Sequence, residues 1–180
     1  MDNNMDLYYM RQLGSNTRIG LQDFINDLPD DKKLIMIEIY TDGSCINTCG
    51  GAGFIAINGE QVICDGFVSF KETTNNRMEL SAIICAFELI CDNNWDNCII
   101  HTDSEYCQKG YTTWMDSWVK KSWKKADGKV VLNQDLWEIL YNYKKKYSNV
   151  KLVWVKAHNG NIWNEHVDKL AKKAATNLKN

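Results

Sequence analysis

Proline occurs once, at Pro29, and histidine only three times in 180 residues. One proline and no low-complexity run leave no material for a proline-rich linker between domains. Seven cysteines are present (Cys45, Cys49, Cys64, Cys85, Cys91, Cys98 and Cys107), but the number is odd and no C-x-x-C pair occurs. That argues against a disulfide framework and for reduced, partly buried thiols. A zinc site from Cys45, Cys49 and a histidine has poor ligand spacing. No apolar run is long enough to span a bilayer. The start, "MDNNMDLYYMRQLG", lacks the basic, apolar and small-residue order of a secretory signal. The chain is therefore expected to work inside a cell, without a membrane.

A large charge of one sign is also missing, since the formal net charge is −2. The distribution is more informative than the sum. Residues 1–32 hold six acids (Asp2, Asp6, Asp23, Asp27, Asp30, Asp31) against Arg11, Arg18 and Lys32, which leaves 18 basic and 17 acidic residues from Lys33 onward. If four of those acids bind metal, the rest of that region is positive, and a local basic patch for nucleic acid is compatible with an acidic protein.

Residues 1–32 read as an N-terminal extension. Leu21, Phe24, Ile25 and Leu28 have the spacing of a short amphipathic helix, ended by Pro29. From Lys33 a regular pattern begins. "KLIMIEIYTDG" predicts a strand that stops at a turn, and "CGGAGFIAING" and "QVICDGFVSF" two more, giving an antiparallel meander. A helix is predicted from near Asn76 to about Cys91. "NCIIHTDS" is a fourth strand, expected parallel to the first through that helix. Two or three helical pieces with a basic interruption follow, then a fifth strand, "NVKLVWVKAH", and a last helix in "NEHVDKLAKKAATNL". The order predicts one α/β domain over 33–180 with a mixed five-stranded sheet, strands 4 and 5 parallel to strand 1.

Two strands end alike, "IEIYTDGS" in Asp42 and "CIIHTDSE" in Asp103. As parallel neighbours they would present both carboxylates at the carboxyl end of the sheet, where open α/β sheets hold ligands. Glu79 opens the first helix and Asp168 lies early in the last. Each has a plain structural explanation: Asp42 before Gly43 as a turn residue, Glu79 in a capping box with Asn76, Asp103 as a helix cap, Asp168 as a first-turn acid. Four converging carboxylates would repel one another, and divalent metal is the natural compensation. Hard oxygen donors favour Mg²⁺ or Mn²⁺ over zinc.

The motifs "YTDGSC", "TTNNRMEL", "TDSEY" and "WVKAHNG…NEHVDKLA", in this order, resemble ribonuclease H of type 1, over about Met36 to Ala175. The stretch "GYTTWMDSWVKKSWKKADGKVVLNQDLW" is similar to the basic protrusion of that family's longer members. The resemblance implies a ribonuclease H-like fold and a two-metal endonuclease that cuts the RNA strand of RNA–DNA hybrids, leaving 3′-hydroxyl and 5′-phosphate ends. It implies Asp42, Glu79, Asp103 and Asp168 as ligands of two Mg²⁺, for which Mn²⁺ substitutes, and His158 as the group that assists proton transfer or product departure. Glu165 is a further candidate near the site. Minor-groove contacts to the 2′-hydroxyl are expected from Glu79 and from Gly43, Ser44 and Cys45, with Asn47 a weaker candidate. Thr74, Asn75 and Asn76 are expected on the DNA strand. So are Lys120, Lys121 and Lys124, with Trp114 and Trp118 between them, in a patch that also holds Lys125 and Lys129. Trp123 reads equally as packing, and Lys144 to Lys146 as a solvated helix end.

Departures from the family pattern are visible. "CINTCGGAG" is short and lacks proline, and Ala157 stands where a glycine is common before the histidine. Residues 1–32 do not resemble the hybrid-binding module of eukaryotic relatives. A monomer with no inferable protein partner is expected. The competing readings are a binding module on the same fold, a related nuclease such as an integrase or resolvase, and an interaction protein. The retained acids and histidine argue against the first, "NNRMEL", the tryptophan-rich protrusion and the histidine loop argue against the second, and nothing in the sequence names a partner for the third.

Overall fold

The computed structural model describes residues 36–178. The expected helix at Leu21–Leu28 and the rest of the N-terminal extension lie outside them. Three strands come first: β1 (Ile37–Ile46), β2 (Cys49–Asn58) and β3 (Gln61–Phe70). They pair antiparallel, as the meander predicted. Helix α1 (Asn75–Asn93) crosses to β4 (Cys98–Thr102), which pairs parallel with β1. Next come α2 (Glu105–Lys109), a π-helical turn (Gly110–Trp114), α3 (Met115–Lys120) and α4 (Gln134–Lys146). Strand β5 (Lys151–Trp154) adds parallel to β4, and α5 (Ile162–Asn177) closes the chain. The sheet order is β3-β2-β1-β4-β5.

The alternation of β1 divides the core. Ile37 and Ile39 pack with α1, and Tyr40 packs with Ile55, Ile57 and Val167 on the α5 side. Helix α1 is buried from Met78 through Ile90, because the sheet covers one side and α4 packs on another. An all-round apolar helix is what such double coverage requires. Helix α5 instead lays small residues on the sheet: a side chain at Gly51 would come within 2.1 Å of the Ala171 carbonyl oxygen. The run "GGAG" is thus a strand stripped down so that α5 can approach.

Two boundaries differ from the sequence reading. β1 does not turn at Asp42–Gly43 but continues in register with β2 to Ile46. The turn is made by Asn47 and Thr48, both with left-handed φ (50° and 66°), the pattern of a two-residue hairpin loop. Gly43 is instead required by proximity, since a Cβ there would lie 2.2 Å from the Glu79 backbone nitrogen. The second correction concerns α1. Its N-cap is Thr74, whose hydroxyl accepts from the Arg77 N–H, so the capping box of Asn76 with Glu79 does not form. Arg77 turns outward into a two-pronged pair with Asp135, at 2.9 and 2.6 Å.

The protrusion is a short α3 followed by a small loop-back. Ser122 and Trp123 turn the chain with positive φ, and Lys124 bridges Val130. Lys120, Lys121 and Lys124 are exposed on it. Trp118 is half-buried, edge-on to the fully buried Trp137 at 5.4 Å, and Trp114 leans on Trp118 with much of its own ring in solvent. Trp123 packs edge-on against Tyr141. Lys144 differs from its expected role as a solvated end. Its ammonium donates to the Tyr111 carbonyl and to Asp116, tying α4 to the base of the protrusion.

Candidate active site

The parallel register brings Asp42 and Asp103 together where the pairing of β1 with β4 stops. Thr41 faces Thr102 across β1 and β4, so the next residues, Asp42 and Asp103, emerge side by side. Neighbouring strands are about 4.8 Å apart, which fixes the scale of that pairing. Glu79, the fifth residue of α1, swings back over the sheet end because Gly43 lets helix and strand touch. Carboxylate oxygens of Asp42, Glu79 and Asp103 lie within 4.8 Å of one another. Asp168 arrives from α5 on the Asp42 side, close enough for the two carboxyl groups to share a hydrogen bond once one is protonated.

Each carboxylate is held by its surroundings. The Gly43 N–H donates to Asp42 Oδ1 at 2.8 Å and to Glu79 Oε2 at 3.2 Å. The Asn75 amide donates to the other Glu79 oxygen at 3.4 Å. Asn164 donates from Nδ2 to Asp103 Oδ2 at 3.0 Å, and the Trp154 indole N–H donates to the Asp103 carbonyl. Lys172 donates to Asp168 Oδ2 at 2.7 Å.

These donors do not cancel the cost of crowding. Asp42 and Glu79 are each only 6% exposed. Burial first, then repulsion from Asp103 and Asp168, pushes the Asp42 carboxyl up to about 8. Burial, with Asp42 and Asp103 beside it, raises Glu79 well above the carboxylate range. Two buried acids driven toward their protons by burial and by neighbouring carboxylates mark a site short of positive charge. Its donors are hard carboxylate oxygens, and the three free cysteines in the interior (Cys85, Cys98, Cys107) are held as thiols by burial. The donor set therefore fits a hard divalent cation bound through oxygen.

The other expected site residues fall into two groups. Gly43, Ser44 and Cys45 continue β1 beyond Asp42, with the Cys45 thiol donating to the Thr73 carbonyl. Thr74, Asn75 and Asn76 are exposed at the start of α1. His158 stands exposed, with a left-handed φ of 51°, in the loop from β5 to α5. Glu165 is exposed in the first turn of α5. The protrusion presents Trp114 and its lysines as a separate exposed surface.

Three residues that hold these acids were not foreseen: Asn164 and Lys172, which donate to the carboxylates, and Trp154, which donates to the Asp103 backbone carbonyl. Asn164 and Lys172 flank Asp168 at four-residue spacing in "NEHVDKLAK", the interval that places side chains on one helix face. That interval was the available signal. Nothing local marks Trp154, whose partner lies on another strand.

Comparison with known proteins identifies the family and the fold. The RNase H family model matches residues 35–176. The chain belongs to the ribonuclease H family. Ribonuclease H of Xanthomonas oryzae pv. oryzae is 41% identical over 143 residues, covering 78% of this chain and 92% of that protein. Ribonuclease HI of Xylella fastidiosa is 44% identical over 142 residues, covering 76% and 89%. Among solved structures, the type 1 enzyme LC9-RNase H1, described as having the type 2 active-site motif, superposes with a TM-score of 0.69 at 30% identity, covering 84% of this chain and 75% of that one. A foamy viral protease-reverse transcriptase, solved in complex with RNA/DNA hybrid, shares the fold at TM-score 0.72 and 18% identity, over 79% of this chain and 20% of that one. As a type 1 member of the family the chain is an enzyme, an endoribonuclease.

Proposed function

We infer that this ribonuclease H cleaves the RNA strand of RNA–DNA hybrids by a two-metal-ion mechanism, leaving 3′-hydroxyl and 5′-phosphate ends. The observation that carries the reading is the trio of buried Asp42 and Glu79 with half-buried Asp103, whose oxygens lie within 4.8 Å of one another where the β1–β4 pairing ends. Its relatives bear the name ribonuclease H, and the foamy viral neighbour was solved with an RNA/DNA hybrid.

In this reading Asp42, Glu79, Asp103 and Asp168 hold two Mg²⁺, with Mn²⁺ able to replace it. Bound there, the ions supply a nucleophile at neutral pH and charge stabilisation for the leaving oxygen. The chain's own residues set the stage. The Gly43 N–H orients two carboxylates at once, and the Asn164 amide fixes one oxygen of Asp103, leaving the other for the ion. His158 carries a proton at its imidazole to the departing 3′ oxygen, a role that suits an exposed ring on a loop. The 2′-hydroxyl is read in the shallow minor groove by Glu79 and the backbone of Gly43 to Cys45. The exposed Thr74, Asn75 and Asn76, with Trp114, Trp118, Lys120, Lys121 and Lys124, take the DNA strand. Residues 33–180 form the catalytic domain, active as a monomer, and 1–32 an extension that is not a hybrid-binding module.

The test uses labelled RNA–DNA hybrid, duplex DNA and duplex RNA with Mg²⁺, Mn²⁺ or chelator, alongside Asp103→Asn. Metal-dependent cutting of RNA in the hybrid alone, abolished in the variant with hybrid binding kept, is the expected result. Binding without cutting under either metal would return the chain to a binding role.

A further inference from the structure

Resting on the metal-binding reading above, we propose that Lys172 is a built-in counter-cation that competes with divalent metal for Asp168 and so sets the affinity of the carboxylate cluster. Its ammonium donates to Asp168 Oδ2 at 2.7 Å, one helical turn along α5. It also lies within electrostatic reach of Asp42. The other donors described for these carboxylates, the Gly43 N–H and the amides of Asn75 and Asn164, are neutral. Lys172 therefore brings a full positive charge to a cluster that lacks one.

Two consequences follow from elementary electrostatics. An oxygen that accepts from an ammonium offers less to an ion, and an ammonium a few ångströms from a divalent cation repels it. Metal entry at Asp168 Oδ2 thus requires Lys172 to leave, and entry at the other oxygen is opposed by its charge. It can do so, because its side chain is 55% exposed, against 22% for Asp168, and its four-carbon stem is free to swing into water. The same ion pair supports the empty cluster, where the acids would otherwise face one another. Lys172 stabilises the metal-free fold and weakens metal uptake, acting as a positioning residue for Asp168 and not as a catalytic one.

The experiment is calorimetric titration of the full chain with Mn²⁺ and with Mg²⁺, in the absence of nucleic acid, for wild type, Lys172→Met and Lys172→Arg. Partly exposed pairs are weak, so Lys172→Met should bind metal only about two- to five-fold more tightly at low salt. The gap should close at high KCl, which screens the competing charge. Lys172→Arg should stay near wild type. Melting in EDTA should show a lower midpoint for Lys172→Met, and saturating Mg²⁺ should erase that deficit. Folded Lys172→Met that binds metal no better than wild type overturns the proposal while leaving the metal reading intact. A wild type that takes up neither metal overturns the metal reading, and the proposal falls with it.

Discussion

Replacing Asp42 by Asn should stabilise the metal-free protein, and increasingly so as pH rises. The carboxyl of Asp42 is pushed up to about 8 in the fold, from an ordinary value of 3.8. Between these values the folded chain keeps a proton that the unfolded chain releases. Stability contributed by this group is therefore complete below pH 3.8, falls as pH rises, and is fully lost above about 8. For one proton the slope is about 1.4 kcal/mol per pH unit, so pH 5 to 7 costs about 3 kcal/mol. That is a large part of a typical domain's stability of about 5–15 kcal/mol. Asparagine preserves the shape and the acceptor for the Gly43 N–H and removes only the ionisation. Urea unfolding in EDTA at pH 5, 6, 7 and 8 would measure it. The variant's advantage over wild type should widen by about 3 kcal/mol from pH 5 to 7. His101, whose imidazole is pushed down by burial, slopes the opposite way but equally in both proteins, so it drops out of the difference. Saturating Mg²⁺ should flatten the wild-type curve. A gap that stays constant or narrows with pH would refute the idea that the cluster strains the empty fold.

Other perturbations have equally definite outcomes. Gly43→Ala would set a methyl 2.2 Å from the Glu79 nitrogen and 2.4 Å from the Met78 carbonyl carbon, both backbone. It should lose roughly 1–3 kcal/mol in urea unfolding and most of its hybrid cleavage. Asn164→Ala removes the donor that orients Asp103, and should lower metal affinity or cleavage about ten- to a hundred-fold, read by titration and by kcat. Deletion of residues 1–32 should leave hybrid hydrolysis nearly unchanged; a large loss in the same assay would assign that extension a part in catalysis.

The sheet order was legible because it depends on local signals. Ile-rich runs bounded by short turns gave the strands, and the helix between the third and fourth pointed to a parallel return beside the first. From that alone, Asp42 and Asp103 had to be neighbours. What could not be read were decisions made between elements. "DG" looks like a turn, yet Gly43 is glycine because α1 presses on it, and the strand runs on to Ile46. Lys144 looks like a solvated end, yet Asp116 and the Tyr111 carbonyl happen to lie within reach. Trp154 meets Asp103 only through the packing of β5 on β4. Lys172 and Asn164 occupy an intermediate position, since their spacing from Asp168 is visible but its meaning depends on where α5 lies.

The strongest argument for function comes from the ordinary roles these acids might have filled. Asp42 could have made a turn, but Asn47 and Thr48 make it. Glu79 could have closed a capping box, but Thr74 caps α1 and Glu79 faces the sheet end. Asp103 could have capped α2, but Ser104 accepts from the Cys107 N–H instead. Asp168 could have served the dipole of α5, but it is the seventh residue, Glu165 is the first-turn acid and Asn161 is the cap. Every local task has been taken by a neighbour. Asp42, Glu79 and Asp103 are left with no structural work, although placing two of them out of water opposes folding. A fold that retains such a cluster at a cost to its own stability, and orients it with a lysine and an asparagine, is organised around a charge that its side chains do not balance. The missing element is positive charge.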